Sequence, residues 1–554
     1  MSATLRPGRI ADPVHGYVDF TGIERLVLKH RVAQRLRYVA QNGLAHLVFP
    51  EVRTSRFSHS LGAMHLASNF LAASLKNTDE VSASSVAQAV QKAVVALDGV
   101  ADAKEAILGV LKPETALIAH HAFGPDEALW LLIAEQGLRL AALFHDLGHL
   151  PFSHDFEEAL AGYWAELDEA ARAGSPLQGL LSDARDRRAI HERIGHALAQ
   201  LVLEEVIRDI HDEAMRQATT LAFAFARAIL TAEAPEHKES PHAPILTWLH
   251  SLMDGEIDVD RCDYILRDGR NYGFEFALYD LDRLLDALVV LEDEGKFFLA
   301  VTPYGLAAVE SFLLARFRSY QYGVRHHKVV QVSAALRYCI MRLLNPANDP
   351  VSRFLVDIGS IIHNGAGTSD GSTGAETLRR FASYDDMWFM GQLRAHTPDT
   401  SEAEWFNLVC WREAGPVSLW KRADTFPGGP NALRSFNALI PERDDSAWRK
   451  AIVSLRDDGV LVTTHYFSPW KVLSPATGAR RESVVMMRHE DGRASPISHH
   501  LPLLATLWDV WEQDVHVHAS ARSTSSLAGK AEVVLDRLPA SVNTVKPKGT
   551  PGDA

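Results

Sequence analysis

The chain has 554 residues, 47% hydrophobic and 23% charged, with a net charge of −14. That length exceeds one ordinary domain and predicts two to four units, and the acidic balance excludes a surface built wholly for nucleic acid. No apolar run reaches the ~20 residues needed to span a bilayer, so no membrane association is expected.

Ile10 to Phe20 reads as a turn, punctuated by Pro13 and Gly16, and then a short extended segment. Ile23–Leu28 and Val32–Val39 follow at helical period, and Gly43 fits the position just past a helix end. Beyond Pro50 a helix is expected through Met64, Leu66 and Ala67 to about Leu75. Residues 77–125 are rich in Ala, Val and Ser, and Ala87 to Leu111 reads as one or two amphipathic helices. Asp126 predicts the N-cap of a helix over 127–148. Further helices are expected over 190–207, 213–232 and 281–291, with one long helical region over 307–344. Leu288–Glu292 and Lys296–Thr302 also alternate as a small hairpin would.

His363 to Gly374 reads as a flexible Gly/Ser loop. Val460–Phe467 and Ser483–Met487 read as strands, and 519–554 as a disordered tail. The expected fold class is mainly α, with a small β element and a mixed α/β C-terminal region. Its expected divisions are 1–355, 356–518 and the tail.

Chemistry concentrates after residue 143. His145-Asp146 ends an apolar approach, and His149, His154, Asp155 and Glu157 follow. Neighbouring side chains on a helix splay by roughly 100°, yet both can bend toward one ion. Imidazole nitrogen with carboxylate oxygen suits a divalent metal of intermediate hardness. Alone, such a dipeptide is more often a polar helix end. What changes that reading is His59, after an Arg-Phe-Ser turn, and the acidic run Asp254 to Asp268. Each is polar among apolar neighbours, where desolvation demands a partner.

His59, His145, Asp146 and Asp260 together make a four-ligand set with open positions for water and a phosphate oxygen. Helical geometry turns Asp258 about 200° from Asp260, and leaves Asp260 and Asp263 as alternatives. His154, Glu157 and His191 are candidates for proton transfer. Arg56, Arg261, Arg316, Arg318 and Lys328 are candidates to neutralise a polyphosphate. The cysteines Cys262, Cys339 and Cys410 share no C-x-x-C spacing, which argues against a thiolate zinc site. With Met1 to Pro7 lacking the apolar core of a signal peptide, a cytoplasmic location is expected.

The order His … His-Asp … Asp resembles the HD-domain metal-dependent phosphohydrolases. Within them the chain resembles the deoxynucleoside triphosphate triphosphohydrolases, including the sterile-alpha-motif/HD proteins and their bacterial relatives. The stretches that carry this are Asp12-Pro-Val-His-Gly16, Gln34-Arg-Leu-Arg-Tyr38, Arg56-Phe-Ser-His-Ser-Leu-Gly62, His145 to His154, His191-Glu192, Asp258 to Asp268, Tyr320 to Lys328, Tyr384 to Trp388 and Leu419 to Arg422. They span roughly residues 10–425 in the family's order.

The resemblance implies an HD helical fold over 1–355. The C-terminal region would then be regulatory or oligomerising. It picks Asp260 over Asp263 as the metal ligand beside His59, His145 and Asp146. The cofactor would be Mg²⁺ or Mn²⁺, with Fe²⁺ or Zn²⁺ also suited to the His-Asp pair. It places His154 and Glu157 at the α-phosphate with His191 assisting, and assigns Arg56, Arg261 and Tyr264 to phosphates. Gln41, Asn42 and Asp268 would read the sugar and base, with Tyr264 crowding a 2′-hydroxyl. The implied reaction is attack of water at the α-phosphorus, giving deoxynucleoside and inorganic triphosphate.

A dimer, tetramer or hexamer is implied, as is an effector-nucleotide site at Val14, His15, Gln34 and Arg37. Control of dNTP pools, including phage defence, is the implied role. The alternatives are an HD-type phosphodiesterase or nucleotidase acting on a nucleotide second messenger, and a non-catalytic sensor. Gln41, Tyr264 and Asp268 favour a deoxynucleoside, and intact His154 and Glu157 argue against a sensor. The chain departs from the family in three places. The interval from His59 to His145 is 86 positions, making 77–125 an insertion; Lys29-His30-Arg31 stands where nucleotide-regulated relatives carry Asp-Thr-Pro; and Arg325 stands where many carry Tyr.

Overall fold

The computed structural model describes residues 6–97, 125–182, 189–232, 240–344, 349–363, 371–400 and parts of 402–537. The chain is mainly helical, as expected, with small sheets. It opens on an antiparallel hairpin, β1 (Gly8–Asp12) and β2 (Gly16–Phe20). The main helices that follow are α1 (Gly22–Lys29), α2 (Arg31–Arg35), α3 (Arg56–Lys76), α4 (Glu80–Val95), α5 (Pro125–Phe144) and α6 (His154–Glu166). Then come α7 (Ile190–Arg208), α8 (Glu213–Leu230), α9 (Val259–Tyr272), α10 (Leu306–Ser319), α11 (His327–Leu343) and α12 (Asp386–Ala395).

α5 is mostly apolar and lies inside, packed between α3 and α8, with Phe144 against Phe223 at 5.0 Å. Each fully buried Leu or Phe there contributes about 1.5–3 kcal/mol. Within α5 the buried Arg139 is matched by Glu24 at 2.6 and 2.9 Å, Ser68 at 2.8 Å and the Asp19 carbonyl at 2.7 Å. That match ties the hairpin and α1 to α3. α9 lies against α3, and α11 against α6.

Several sequence expectations are corrected. α5 already includes Pro125, so Asp126 is inside the helix and not its N-cap; the helix ends at Phe144, and the His-Asp pair sits where it unwinds into tight turns. The helix expected over 281–291 stops at Leu285, because Leu288–Asp293 is β3, paired antiparallel with β4 (Lys296–Val301). β-Branched Val289 and Val290 are better placed in a strand. The long region 307–344 is two helices, separated by a π turn and an extended backbone at His326, whose ring caps α11. Gly43, at φ 47°, lies in a turn well after the short helix Leu36–Tyr38, not just past a helix end.

The C-terminal region builds one further sheet and extends the β3–β4 hairpin to four strands. β5 (Val417–Ser418), β6 (Val460–Phe467) and β9 (Glu512–Ala519) form the first, in the order β5-β9-β6. β7 (Met486–Arg488) pairs in parallel with β4, and β8 (Ala494–Pro496) pairs with β7. A second core of Trp420, Phe426, Trp448, Leu455 and Val517 lies under the first of these sheets. In the insertion, α4 packs on α5. His120-His121, residues 364–370 of the Gly/Ser loop and the tail after residue 520, apart from Arg537, lie outside the described residues. Among the described residues no helix is long and apolar enough to cross a membrane.

Candidate metal centre and active site

Three elements converge on one point. Ser55 caps α3 by accepting from the Ser58 amide, and the first turn of α3 presents Arg56 and His59. The unwinding end of α5 presents His145 and Asp146. Asp258 caps α9 by accepting from the Arg261 amide, and the helix's first turn presents Asp260. His59 is fully buried, while His145 and Asp260 are partly open to solvent.

Each ring is fixed from behind. His145 Nδ1 faces the Ala142 carbonyl at 2.7 Å, and His59 Nδ1 faces Asp263 at 2.8 Å. Both Nε2 atoms are therefore turned into the centre, buried and without a hydrogen bond. Around them stand Asp260 Oδ1, 2.8 Å from His59 Nε2 and 3.9 Å from His145 Nε2, and Asp146, whose oxygens lie 3.7 and 3.4 Å from the same nitrogens. Orphaned imidazole nitrogens facing carboxylates are costly unless a cation lies between them. The donor set fits a divalent metal. Burial opposes charge on His59, yet Asp260 and Asp263 push its pKa up to about 10. Burial would raise Asp260, but His59 holds it down to about 2.

The resemblance alone chooses between Asp260 and Asp263 in sequence; in the structure the two take opposite nitrogens of one ring. Asp263 is fully buried and accepts from His59, from His15 Nε2 at 2.6 Å, and from Arg267 at 2.9 and 2.8 Å. Arg267 is also paired with Asp12 at 2.8 Å. This carboxylate–histidine arrangement fixes the tautomer of His59 and raises its basicity. A side chain at Gly62, one turn on from His59, would bring a Cβ within 1.9 Å of Asp263 Oδ1, so that position requires glycine.

A second group adjoins the first. His149, His154, Glu157 and His191 bring ligand-type atoms within 4.8 Å of one another. His149 bridges the two groups, 3.1 Å from Asp146 and 3.1 Å from Glu157. His191 stacks on His149 at 3.8 Å and meets Glu157 at 3.0 Å. The stacking is made by close backbone approach: a Cβ at Gly148 would lie 2.0 Å from the His191 carbonyl. Burial would raise the Glu157 pKa, but His191 and His149 hold it well below the usual range. Burial would lower His191, but Glu157 pushes it up to about 9. Burial and the nearby Arg56 push His149 down to about 3, so it is neutral. His154, with a side chain 61% exposed, faces solvent at the edge of this group, 3.6 Å from Glu157. One charged pair, one neutral imidazole and one accessible imidazole can hold and deliver protons.

The remaining expected residues divide. Arg56 lies on Asp146 at 3.0 Å and on Ser153. Arg261 is buried on Asp258 at 2.7 Å, with Asp254 3.7 Å away. Tyr264 shares its surroundings with Tyr320, Arg316 and Arg261. Arg318 is exposed. Lys328 bonds Gln331, and its cationic neighbours are Lys421 and Arg412 of the C-terminal region. Asn42 donates to Asp268 at 2.8 Å, Thr54 adds a bond at 3.0 Å, and Gln41 beside them has a buried, unbonded Oε1. His15 turns inward to Asp263, and Val14 is bound through its amide to Asp12. Gln34 and Arg37 bond each other at 2.8 Å. Sequence reasoning passed over the roles of Thr54, Asp12, Arg267 and Gly62. The two charges at least stood inside quoted motifs.

No family model matches the sequence. The fold is shared with solved structures: the crystal structure of a phosphohydrolase from Bacteroides thetaiotaomicron superposes with a TM-score of 0.55 at 19% identity, covering 93% of this chain and all of that one. An uncharacterised protein of Methanocaldococcus jannaschii is 22% identical over 61% of this chain and 50% of its own length. The deoxynucleoside triphosphate triphosphohydrolase SAMHD1 of Mus musculus is 24% identical over 51% of this chain and 34% of its own. The chain spans about half the length of the first curated relatives it matches. The likeness to that solved structure shows the fold, and the donor set of His59, His145 and Asp146 is of a kind that can hold a metal ion.

Proposed function

We propose that this protein hydrolyses deoxynucleoside triphosphates to deoxynucleoside and inorganic triphosphate. The observation that carries the reading is the pair of buried, unbonded Nε2 atoms of His59 and His145 facing Asp146 and Asp260 beside a proton-handling group. His59, His145, Asp146 and Asp260 would hold a divalent metal, Mg²⁺ or Mn²⁺ by chemistry and Fe²⁺ or Zn²⁺ by the imidazole content. When bound, it supplies a polarised phosphoryl oxygen and an acidified water.

The residues of the chain do the rest. Arg56 holds Asp146 ionised beside the metal position. Glu157 and His191 form a charged pair that orients neutral His149, and exposed His154 is placed to protonate the leaving oxygen. Arg261, Arg316 and Tyr264 line the phosphate side. Asn42, Thr54 and Asp268 form the sugar side, where the unbonded Gln41 Oε1 awaits a hydroxyl. SAMHD1, named as a deoxynucleoside triphosphate triphosphohydrolase, adds support for this substrate class. A homo-oligomer and a nucleotide effector belong to the same reading.

The test is incubation with each dNTP, NTP and cyclic nucleotide, with Mg²⁺ or Mn²⁺, and resolution of the products. Triphosphate released from dNTPs alone is the expected outcome. Pyrophosphate with a nucleoside monophosphate, orthophosphate, or a linearised cyclic nucleotide would instead make the protein a pyrophosphohydrolase, a nucleotidase or a phosphodiesterase respectively.

A further inference from the structure

The turn between the His-Asp pair and His154 holds two consecutive non-glycine residues at positive φ. Phe152 lies at φ 60°, and Ser153 at φ 57° with ψ −128°. The second conformation falls outside the left-handed helical well, in a region that glycine ordinarily fills. Both residues are buried. Such a turn persists only where its surroundings over-determine it.

What holds it comes from far along the chain. The Phe152 amide donates to Asp386 Oδ1 at 2.6 Å, and the Ala40 amide donates to Asp386 Oδ2 at 2.9 Å. The Ser153 hydroxyl donates to the Ala40 carbonyl at 2.7 Å and accepts from Arg56 Nε at 3.0 Å. Upstream, the buried Arg35 donates to the carbonyls of Leu147, His149 and Tyr384 at 2.9, 2.6 and 2.9 Å. Residues 384–386, at the start of α12, are thus fastened to both ends of the turn. They are also fastened to Ala40, next to Gln41 and Asn42. Ser153 is the residue from which α6 starts, and His154 and Glu157 stand in the first turn of α6.

We propose that Asp386 is a positioning residue for hydrolysis: its carboxylate pins the Phe152–Ser153 turn to Ala40, and so aims His154 and Glu157 at the reacting centre. This rests on the phosphohydrolase reading. Both oxygens are used on separate amides, so the role needs a carboxylate and not merely a polar group. Asn would offer one acceptor and set an NH₂ against the other amide.

The test is Asp386→Asn in the full chain. kcat should fall about 10- to 100-fold, the scale set by misplacing catalytic groups by an ångström. KM and metal content should stay as in the wild type. Amide hydrogen exchange should quicken in 150–156 while α3 and α9 stay protected. Asp386→Glu, which keeps the charge and both acceptors, should recover part of kcat and of the protection. An Asn variant with wild-type kcat, or one that loses metal or exchanges throughout, overturns the proposal. So does a Glu variant no better than the Asn one. If the wild type proves silent on dNTPs, the substrate reading fails alone, and exchange at 150–156 still decides whether Asp386 holds the turn.

Discussion

Asp263→Asn is the sharpest probe of the metal centre, because it keeps the volume and removes only the charge and one acceptor. The wild-type carboxylate takes His59 on one oxygen, His15 on the other, and Arg267 on both. An amide cannot satisfy all three. With its NH₂ toward His59, Nδ1 must accept, Nε2 then carries the proton, and the nitrogen facing Asp260 is the wrong tautomer for a ligand. With its NH₂ toward His15 and Arg267, donors face donors. Loss of a carboxylate behind a ligating imidazole weakens metal binding about 10- to 100-fold, or about 1.4–2.7 kcal/mol at 1.36 kcal/mol per decade.

Stability should fall too. Breaking a buried pair costs about 3–5 kcal/mol, but Arg267 keeps Asp12 at 2.8 Å, so about 2 kcal/mol is the expected loss. Metal content after dialysis against graded chelator, with Tm of the chelated protein, measures both terms. A variant that retains metal as the wild type does would refute the orienting role of Asp263.

Gly62→Ala should act on the same carboxylate through space. Its Cβ would meet Asp263 Oδ1 at 1.9 Å and Arg267 at 2.6 Å, so overpacking of about 1–3 kcal/mol should outweigh the ~1 kcal/mol that Ala gains over Gly in a helix, lowering both Tm and metal content. A higher Tm would contradict that contact. The Glu157–His191 pair should make stability pH-dependent. Glu157 contributes fully above its ordinary value of 4.5 and loses that as pH falls through its lowered pKa; His191 contributes fully below 6.5 and loses that as pH rises through about 9. Tm should therefore decline from pH 6.5 to 9, and Glu157→Gln should flatten the decline; equal slopes would rule out the pairing. His154→Ala, at an exposed position, should leave Tm unchanged and lower kcat about 100-fold or more. Unaltered turnover would remove His154 from the chemistry.

The fold class and the metal-type residues are legible in the sequence for different reasons. α3 and α5 are long, mostly apolar stretches and α9 is amphipathic, and His59, Asp146 and Asp260 are polar residues beside them that only a shared partner makes tolerable. Element ends are less legible. Asp126 has good capping chemistry, yet α5 already includes Pro125 before it. Leu281 to Leu291 fits a helix by composition, but β4 stands opposite and draws Leu288 onward into a strand. Roles set by a three-dimensional meeting are hidden most deeply. Asp260 and Asp263 are equivalent in spacing, and only the two nitrogens of His59 tell them apart. Arg35 and Asp386 are 351 positions from one another, and no local pattern shows that both serve one turn.

The centre is held less by attraction than by the cost of leaving it. His59, His145, Asp146 and His191 each have a backing group: Asp263 behind His59, the Ala142 carbonyl behind His145, Arg56 beside Asp146, Glu157 behind His191. Buried pairs of this kind add little net stability against an apolar substitute, but removing one partner strands the other in a low-dielectric interior. A shift of His59 or Asp146 thus unmakes a second contact on a different segment, and a shift of His145 one with its own preceding turn. Such coupling keeps two imidazole nitrogens aimed at one point while the centre stays partly open at His145 and Asp260. A bridge through neutral His149 then lets the proton-handling group keep its own charge pair without contributing a second cation to the metal position.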